Sequence, residues 1–343
     1  MSDPTSISAI VVTWMGDPAD TRATLDSLLG QDRPPEEIIV LDNSPEPLHR
    51  AAAGRPGVTY LHPGRNLGFA QGVNLAAGRA SGDLLLLLNP DARVGPGCLA
   101  VLAAALEDDP GAAIAGAQVM LPDGRVNAGD NPVHLAGFCW SGNYLGPPES
   151  GPPRETLAVS GAALMVQAAD FRALGGFHPE IFMYFEDSDL CWRARIAGRR
   201  VLFCPEARVV HEYEFEKGAR KWGWLEQGRT AAVLGNFEPR TLLLLAPLLL
   251  AAEVAVWMLA LRAGWAREKA WAWRRLWRGR RSIREMRSGV RTSRRVPDRE
   301  LLREFSRSLE SPALGARGRK LVRLPQELYG RAVLRLLAGR EGV

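Results

Sequence analysis

Glu186, Asp187 and Asp189 put three carboxylates within four residues, directly after the aromatic run Phe182-Met183-Tyr184-Phe185 and at the start of a helical stretch. Like charges this close repel, so the cluster calls for a cation, a shared proton or a substrate. Two further groups stand where apolar runs end: Asp91, in Asn89-Pro90-Asp91 after the leucines at 84–88, and His211, after a later apolar run. A strand-end carboxylate, an acidic cluster and an imidazole together read as a metal-assisted active site assembled from separate segments. A hard divalent cation takes oxygen ligands, commonly one or two carboxylates plus substrate phosphates, and Asp91 could supply one. Each piece also has a plainer reading. Asn-Pro-Asp is good turn chemistry, and Asp189 and Arg193 have the i, i+4 spacing of a surface ion pair on a helix. Glu186 and Asp187 suit a helix N-terminus, and a single histidine is most often structural.

Such groups need a frame to hold them. Residues 7–14 form a β-branched run that reads as a buried strand, followed by a helix over about 20–29 with Leu25, Leu28 and Leu29 on one face. A second strand at 37–41 ends in Asp42-Asn43-Ser44. A third, short strand at 58–61 precedes Arg65-Asn66-Leu67-Gly68-Phe69, which opens a small-residue helix running to about Ala80. The leucine strand at 84–88 is apolar on both faces, as in a sheet covered on both sides. Strands alternating with helices imply an α/β fold with a parallel sheet and ligands beyond the carboxyl ends of its strands, where Asp42, Asn66 and Asp91 fall. From Arg65 to Asn74 a cation, amides and glycines meet a helix start, which suits a phosphate or a nucleobase edge. The same glycines also serve ordinary helix packing. Residues 122–156 are rich in Gly and Pro and read as an excursion over the sheet edge. Regular structure resumes at 159–166, with a short helix near 168–174, a turn at Gly175-Gly176, a helix over 187–197 and strands near 201–204 and 208–211.

Charge divides the chain unevenly, with a net −10 over residues 1–261 and +15 over residues 262–343. An acidic body with a basic tail implies two tasks, and the tail should face something anionic. The four cysteines form no C-x-x-C pair and lie in or beside apolar stretches, as buried thiols of a reducing compartment do. The opening Met1-Ser2-Asp3-Pro4 shows no basic n-region, and no secretion signal is expected. Residues 242–261 are almost wholly apolar, interrupted by Pro247 and Glu253, and then come Trp265, Trp271, Trp273 and Trp277 interleaved with Arg and Lys. The apolar stretch has the minimum length of a bilayer-crossing helix. A single crossing would put the basic tail on the far side from a cytosolic body, so a monotopic, re-entrant or in-plane attachment is expected. The plainer reading is a soluble helix packed on the body or in a homo-oligomer.

Five ordered motifs carry a family resemblance: Val11-Val12-Thr13-Trp14, Leu41-Asp42-Asn43-Ser44, Gly64 to Phe69, Asn89-Pro90-Asp91-Ala92, and Met183 to Arg193. Over about residues 6–240 the chain resembles glycosyltransferase family 2, in particular its bacterial rhamnosyltransferase-like branch. The resemblance implies the GT-A nucleotide-sugar-binding sheet with flanking helices over 1–240 and a helical, membrane-associated extension over 241–343. It implies an inverting hexosyltransferase that uses Mg2+ or Mn2+. The base-binding acid would be Asp42, and Thr13, Trp14, Asn43, Arg65, Asn66, Gly68, Phe69, Asn74, Asn89 and Asp91 would line the donor site. Asn89 stands at the first position of the family's D-x-D motif, so Asp91 would carry the metal with His211 while Asn89 hydrogen-bonds. Asp187 would be the general base, next to Glu186, with Gly161, Asp189 and Arg193 near the acceptor or in support.

The branch points to dTDP-L-rhamnose as donor and a lipid-linked glycan of cell-envelope polysaccharide synthesis as acceptor, at the cytoplasmic face of the bacterial inner membrane. A sugar nucleotidyltransferase would need an N-terminal Gly-rich phosphate loop with Arg and Lys, and residues 7–16 hold none. A nucleic-acid-binding protein would use the basic, Trp-containing tail, but no nucleic-acid partner is expected. An inactive carbohydrate-binding relative conflicts with the retained acids.

Overall fold

The computed structural model describes residues 5–211, 218–310 and 316–338, with side chains from 323 onward in the last stretch. The opening Met1 to Pro4 and parts of the basic tail, 311–315 and 339–343, lie outside the described residues. Two compact units result. One is Met1–Asn131, Ser141–Ala194 and Arg199–Phe215; the other is Pro132–Trp140, Arg195–Gly198 and Glu216–Val343.

The first unit begins with β1 (Ile7–Thr13), buried along its whole length. In α1 (Pro18–Leu29) the Asp17 carboxylate accepts a hydrogen bond from the Ala19 N–H at 2.8 Å. Pro18 fills the first turn, where its missing N–H costs nothing, so the helix starts ahead of the expected position 20. Then come β2 (Glu37–Asp42), the short α2 (Arg50–Ala53), β3 (Val58–Leu61), α3 (Gly68–Ala77) and β4 (Leu84–Leu88). These four strands lie in the order β3-β2-β1-β4, all parallel, with Ile10 paired to both Ile39 and Leu87. All five leucines of β4 are completely buried, as an unbroken apolar strand in the middle of a sheet must be.

The remainder of this unit is β5 (Ala92–Val94), α4 (Cys98–Glu107), β6 (Ala112–Met120), β7 (Val126–Ala128), β8 (Arg154–Glu155), β9 (Ala163–Gln167), α5 (Ala168–Ala173), α6 (Glu186–Ile196) and β10 (Arg200–His211). The sheet runs β3-β2-β1-β4-β9-β6-β10-β5, with β7 beside β6 and β8 beside β10. It is mixed, not wholly parallel: β9 runs antiparallel to β4 and β6, and β5 runs antiparallel to β10. The chain reaches β9 from an excursion at the carboxyl end of β4, so it must run back, and Ala163 pairs with Leu88. The first residues of β9 therefore lie beside the last residues of β4. β9 begins at Ala163 rather than 159, which leaves 160–162 as a connection at that end. The two expected strands after α6 are one strand, β10, whose register breaks between Cys204 and Arg208, where Pro205 has no N–H to donate.

The second unit contains α7 (Gly218–Asn236), α8 (Pro239–Arg262), α9 (Ala266–Arg278), α10 (Arg280–Ser293), α11 (Asp298–Leu301) and α12 (Ala316–Ala338). Ala231, Leu276 and Ile283 form an apolar cluster joining α7, α9 and α10. Trp224 meets Trp271 edge-on with ring centroids 4.4 Å apart. α8 buries Thr241, Leu245 and Ala260 and leaves most of its other side exposed. It is the helix among the described residues that is long and apolar enough to cross a membrane, by length and composition alone. Its Glu253 accepts hydrogen bonds from Lys269 Nζ at 2.9 Å and Trp273 Nε1 at 2.6 Å. Lys269, almost fully buried, also reaches Glu226 at 2.5 Å, and Glu226 pairs with Arg229 at 2.8 Å. The acid that interrupts the apolar run is thus matched inside a balanced group of two carboxylates and two cations.

Candidate active site

The ends of β4 and β10 bring the expected metal residues together. His211 closes β10 and pairs with Ala92 in β5, one residue past Asp91. His211 Nε2 lies 3.0 Å from Asp91 Oδ1 and 3.3 Å from Asn89 Nδ2. One ring nitrogen cannot donate to Asp91 and accept from Asn89 at once. With its proton on Nε2, the ring bonds Asp91; with the proton on Nδ1, Nε2 offers a lone pair, accepts from Asn89, and leaves Asp91 Oδ1 to another cation. Among the described residues no three His, Cys, Asp or Glu side chains gather as a metal site. Asp91 and His211 supply two donors of the right kind, and the Asp91 side chain is one-third exposed. A divalent cation fits such a half-built site when diphosphate oxygens and water complete its shell.

The next step along the sheet reaches the acids. Asn89 N–H donates to Ala162 O at 3.0 Å, and the adjacent Gly161 N–H donates to Asp187 Oδ2 at 2.7 Å. Asp187 Oδ1 accepts from the Ser188 N–H at 2.6 Å. Gly161 allows this closeness: a Cβ would crowd Asp187, standing 3.1 Å from its Cβ and 3.3 Å from its Oδ2. Burial raises the Asp187 carboxyl above the usual range, and the bonds from Gly161 and Ser188 offset part of the shift. Glu186 is buried, and its Oε2 has no hydrogen-bond partner among the described residues. Burial, and then the neighbouring Asp187, push its carboxyl well above the ordinary value, which favours the protonated form. Tyr184 and Phe185 precede the pair with φ of 65° and 76°, a left-handed conformation rare for side-chain-bearing residues and common at functional sites.

Asp189 and Arg193 form an ion pair at 2.8 Å, but it is buried and not on the surface as the spacing alone suggests. The same guanidinium donates to Leu174 O at 2.7 Å and Gly176 O at 2.8 Å, pinning the turn after α5. This pair positions the acidic segment.

Asp42 is fully buried at the end of β2 and accepts four hydrogen bonds: Thr13 Oγ1 at 3.3 Å, Ser44 N–H and His49 N–H at 2.9 Å each, and Tyr60 OH at 2.7 Å. Burial raises its carboxyl, and the donors outweigh that and hold it below the usual value. Burial followed by the Asp42 bond raises the Tyr60 phenol. The sequence reading missed Tyr60 and His49. The signal was a Tyr in a strand that pairs in parallel with the strand carrying Asp42, Val40 lying opposite Tyr60.

Asn43 ties this end to the next loop, donating to Gly68 O at 3.0 Å and accepting from Leu67 N–H at 3.1 Å. Asn66 Oδ1 accepts from Gly68 N–H at 2.8 Å, and Arg65 is exposed beside it. Gly68 has a φ of 78°, and a Cβ there would stand 2.5 Å from both Cδ2 and O of Phe182. The loop expected to meet a donor thus lies against the aromatic run leading to Glu186. Trp14 is 57% exposed at the end of β1. Two expected donor residues are engaged internally. Both halves of the Asn74 amide bond the Phe177 backbone at 2.8 Å, and the Phe69 ring sits 6.1 Å from that of Phe177.

Comparison with known proteins follows the same lines. A family model described as Glycosyl transferase family 2 matches residues 8–145, and one described as Glycosyl transferase family group 2 matches 84–292, more than half of the chain. The chain is 28% identical over 238 residues to the N-acetylglucosaminyl-diphospho-decaprenol L-rhamnosyltransferase of Mycobacterium tuberculosis, covering 62% of this chain and 78% of that protein. It is 29% identical over 213 residues to the uncharacterized protein y4gI of Sinorhizobium fredii, covering 57% of this chain but only 23% of that longer protein. A crystal structure of GalNAc-T7 with UDP, GalNAc and Mn2+ superposes with a TM-score of 0.58 at 18% identity, over 70% of this chain and 49% of the other, a likeness of fold.

Proposed function

Because the chain belongs to glycosyltransferase family 2, as a rhamnosyltransferase-like member with a GT-A kind of α/β sheet, we propose that it moves L-rhamnose from dTDP-L-rhamnose to a hydroxyl of a lipid-linked glycan, inverting the anomeric centre. One observation carries the reading. At the end of β4 the Asp91 and His211 pair stands beside Asn89, whose N–H bonds the Ala162 carbonyl next to the Gly161 that holds Asp187. This arrangement supports assigning two chemistries, stabilising a leaving diphosphate and accepting a proton, to the adjoining ends of β4 and β9.

Asp187 takes the proton of the acceptor hydroxyl as the acceptor oxygen bonds to the anomeric carbon, and the bond from that carbon to the diphosphate oxygen breaks on the opposite face. Gly161 N–H and Ser188 N–H aim the carboxylate for this transfer. Mg2+ or Mn2+, bound by Asp91 and His211, would stabilise the charge that grows on the diphosphate. Asn89, Asn66 and Arg65 face the donor's phosphates and ribose. Trp14 and Thr13 border the nucleobase, and Asp42 shapes that end by fixing Tyr60 and the backbone of Ser44 and His49. Glu186, kept neutral, hydrogen-bonds to the acceptor without competing for its proton. The relative from Mycobacterium tuberculosis is named for a diphospho-decaprenol acceptor, which supports a lipid-linked acceptor here. A lipid acceptor also supports peripheral or monotopic placement of the second unit on the cytoplasmic face of a bacterial inner membrane.

The test is a set of initial rates for the purified protein with dTDP-L-rhamnose and with UDP- and GDP-hexoses, on a synthetic N-acetylglucosaminyl-diphospho-lipid acceptor with Mg2+ or Mn2+. Transfer of rhamnose with inversion, lost on chelation, is the expected result. Preference for another donor, retention of configuration, or full activity in chelator would each overturn the corresponding part.

A further inference from the structure

Five of the six large exposed apolar side chains of α8 form one stripe, with Leu259, 55% exposed, on another side of the helix. Leu243, Leu250, Val254, Met258 and Leu261 are 52 to 75% exposed, and at about 100° per residue they fall within roughly 80° of one another around the helix. Glu253 lies outside this stripe, where Lys269 and Trp273 of α9 hold it. We propose that α8 lies in the plane of one anionic lipid leaflet, its stripe among the acyl chains, and that the bonds from Glu253 to Lys269 and Trp273 prevent it from standing up as a membrane span. The inference rests on the membrane reading above, selects the in-plane orientation among its alternatives and names the residues that set it.

Length does not decide the orientation, since 24 residues reach about 36 Å, enough to cross a bilayer core. The charged group decides it. For α8 to cross the bilayer, Glu253 would have to leave Lys269, or Lys269, Glu226 and Arg229 would have to enter the acyl region with it. Either course sets buried charges in a medium that cannot solvate them. Lying flat keeps the network on the protein side and the stripe on the lipid side.

The flanks identify the occupant. Arg262, Arg274, Arg278, Arg281 and Arg284 are exposed at the end of α8 and along α9 and α10. Trp277 is 67% exposed, with the Arg280 guanidinium 4.5 Å over its ring. An exposed apolar stripe followed along the chain by exposed Trp and Arg matches the acyl boundary and the anionic headgroups. A second copy of the same unit would set these arginines against their own kind.

The test uses the full chain carrying Cys139→Ser to remove the one native thiol that is not fully buried. Nitroxides are attached singly at Leu243→Cys, Leu250→Cys, Val254→Cys, Leu261→Cys and, on the inward side, Val256→Cys. Depth is read from oxygen and nickel accessibility on vesicles of phosphatidylcholine with 30% phosphatidylglycerol. All four stripe labels are expected at one shallow depth, about 5–10 Å below the phosphates, with Val256 shielded from both reagents. Labels 250 and 254 near the bilayer centre, with 243 and 261 toward opposite surfaces, would overturn the in-plane orientation while leaving membrane attachment intact. Stripe labels unchanged by vesicles, with the protein dimeric in sedimentation, would assign the stripe to a second copy. Failure of the protein to pellet with the vesicles would overturn the attachment itself. As a second arm, Leu250→Glu with Val254→Glu is expected to reduce vesicle binding at least tenfold while transfer to a soluble acceptor analogue is unchanged. Unchanged binding would overturn the stripe, and loss of transfer to the soluble acceptor would overturn its separation from catalysis.

Discussion

Glu186 and Asp187 are adjacent carboxyls given unlike tasks by their surroundings. Asp187 has Gly161 and Ser188 as donors, which favour its ionised form, while Glu186 Oε2 has no partner among the described residues and burial favours its neutral form. Asp187→Asn keeps an oxygen for the Gly161 N–H but cannot accept a proton. Turnover should fall by about 10²-fold to 10⁴-fold, with donor affinity by calorimetry nearly unchanged. Because burial raises the Asp187 carboxyl, the acidic limb of kcat/KM against pH should lie above the value of about 3.9 for a free Asp. Glu186 gives a separate pH signature. Its folded-state carboxyl is raised, so the native state binds the proton more tightly than the unfolded chain. Stability due to this group is then complete below about pH 4 and declines as pH rises toward the folded value. Glu186→Gln cannot ionise, so its Tm should match the wild type near pH 4 and exceed it increasingly as pH rises toward the folded value, by scanning calorimetry; a difference largest in acid would contradict a raised Glu186 carboxyl. At the corner proposed to hold the metal, Asp91→Ala and His211→Ala should each weaken donor binding in Mn2+ and leave binding in chelator unchanged, as measured by titration calorimetry.

At the scale of elements, α6 is held in place by its own second turn. Arg193 joins Asp189 to the carbonyls of Leu174 and Gly176, and Asn74 of α3 bonds Phe177 just beyond that turn. Arg193→Met would leave a buried carboxylate without its cation, and such a change costs about 3–5 kcal/mol, to be read as a lowered urea midpoint. The strained residues Tyr184 and Phe185 lie between these anchors and Asp187, so a variant that still folds should lose kcat more than donor affinity. The i, i+4 spacing made this pair legible in the sequence. Its burial was not legible, because periodicity tells which residues share a helix face and says nothing of what covers that face. The direction of β9 was hidden for a similar reason: an apolar run reads the same in either direction, and only its pairing with β4 brings Gly161 to the site.

For the whole molecule, charge and apolar surface set the expected behaviour. The net +15 of residues 262–343 should attract anionic vesicles with a strength that falls as salt rises, because the screening length shrinks from about 10 Å at 0.1 M to about 3 Å at 1 M. Pelleting with anionic vesicles should decline steeply over that range, and residual binding at 1 M should disappear in Leu250→Glu with Val254→Glu. A chain ending at Arg240 should not preserve α7 intact, since it removes Lys269 and Glu253 and leaves Glu226 with Arg229 alone, which circular dichroism and limited proteolysis would detect. The sequence by itself determined the strand-end positions of Asp42, Asn89, Asp91 and His211, the helix start at Glu186 and Asp187, and the contrast between acidic body and basic tail. These follow from local periodicity, turn chemistry and composition, which a linear reading contains. Only the tertiary structure decided that Asp42 has four internal donors, that Glu186 Oε2 lacks a partner among the described residues, that Asn74 serves Phe177, and that Glu253 is matched by Lys269 and Trp273. Each depends on groups far apart in the chain being brought within hydrogen-bond reach, and whether a buried charge is stable is set by those partners and not by its neighbours in sequence.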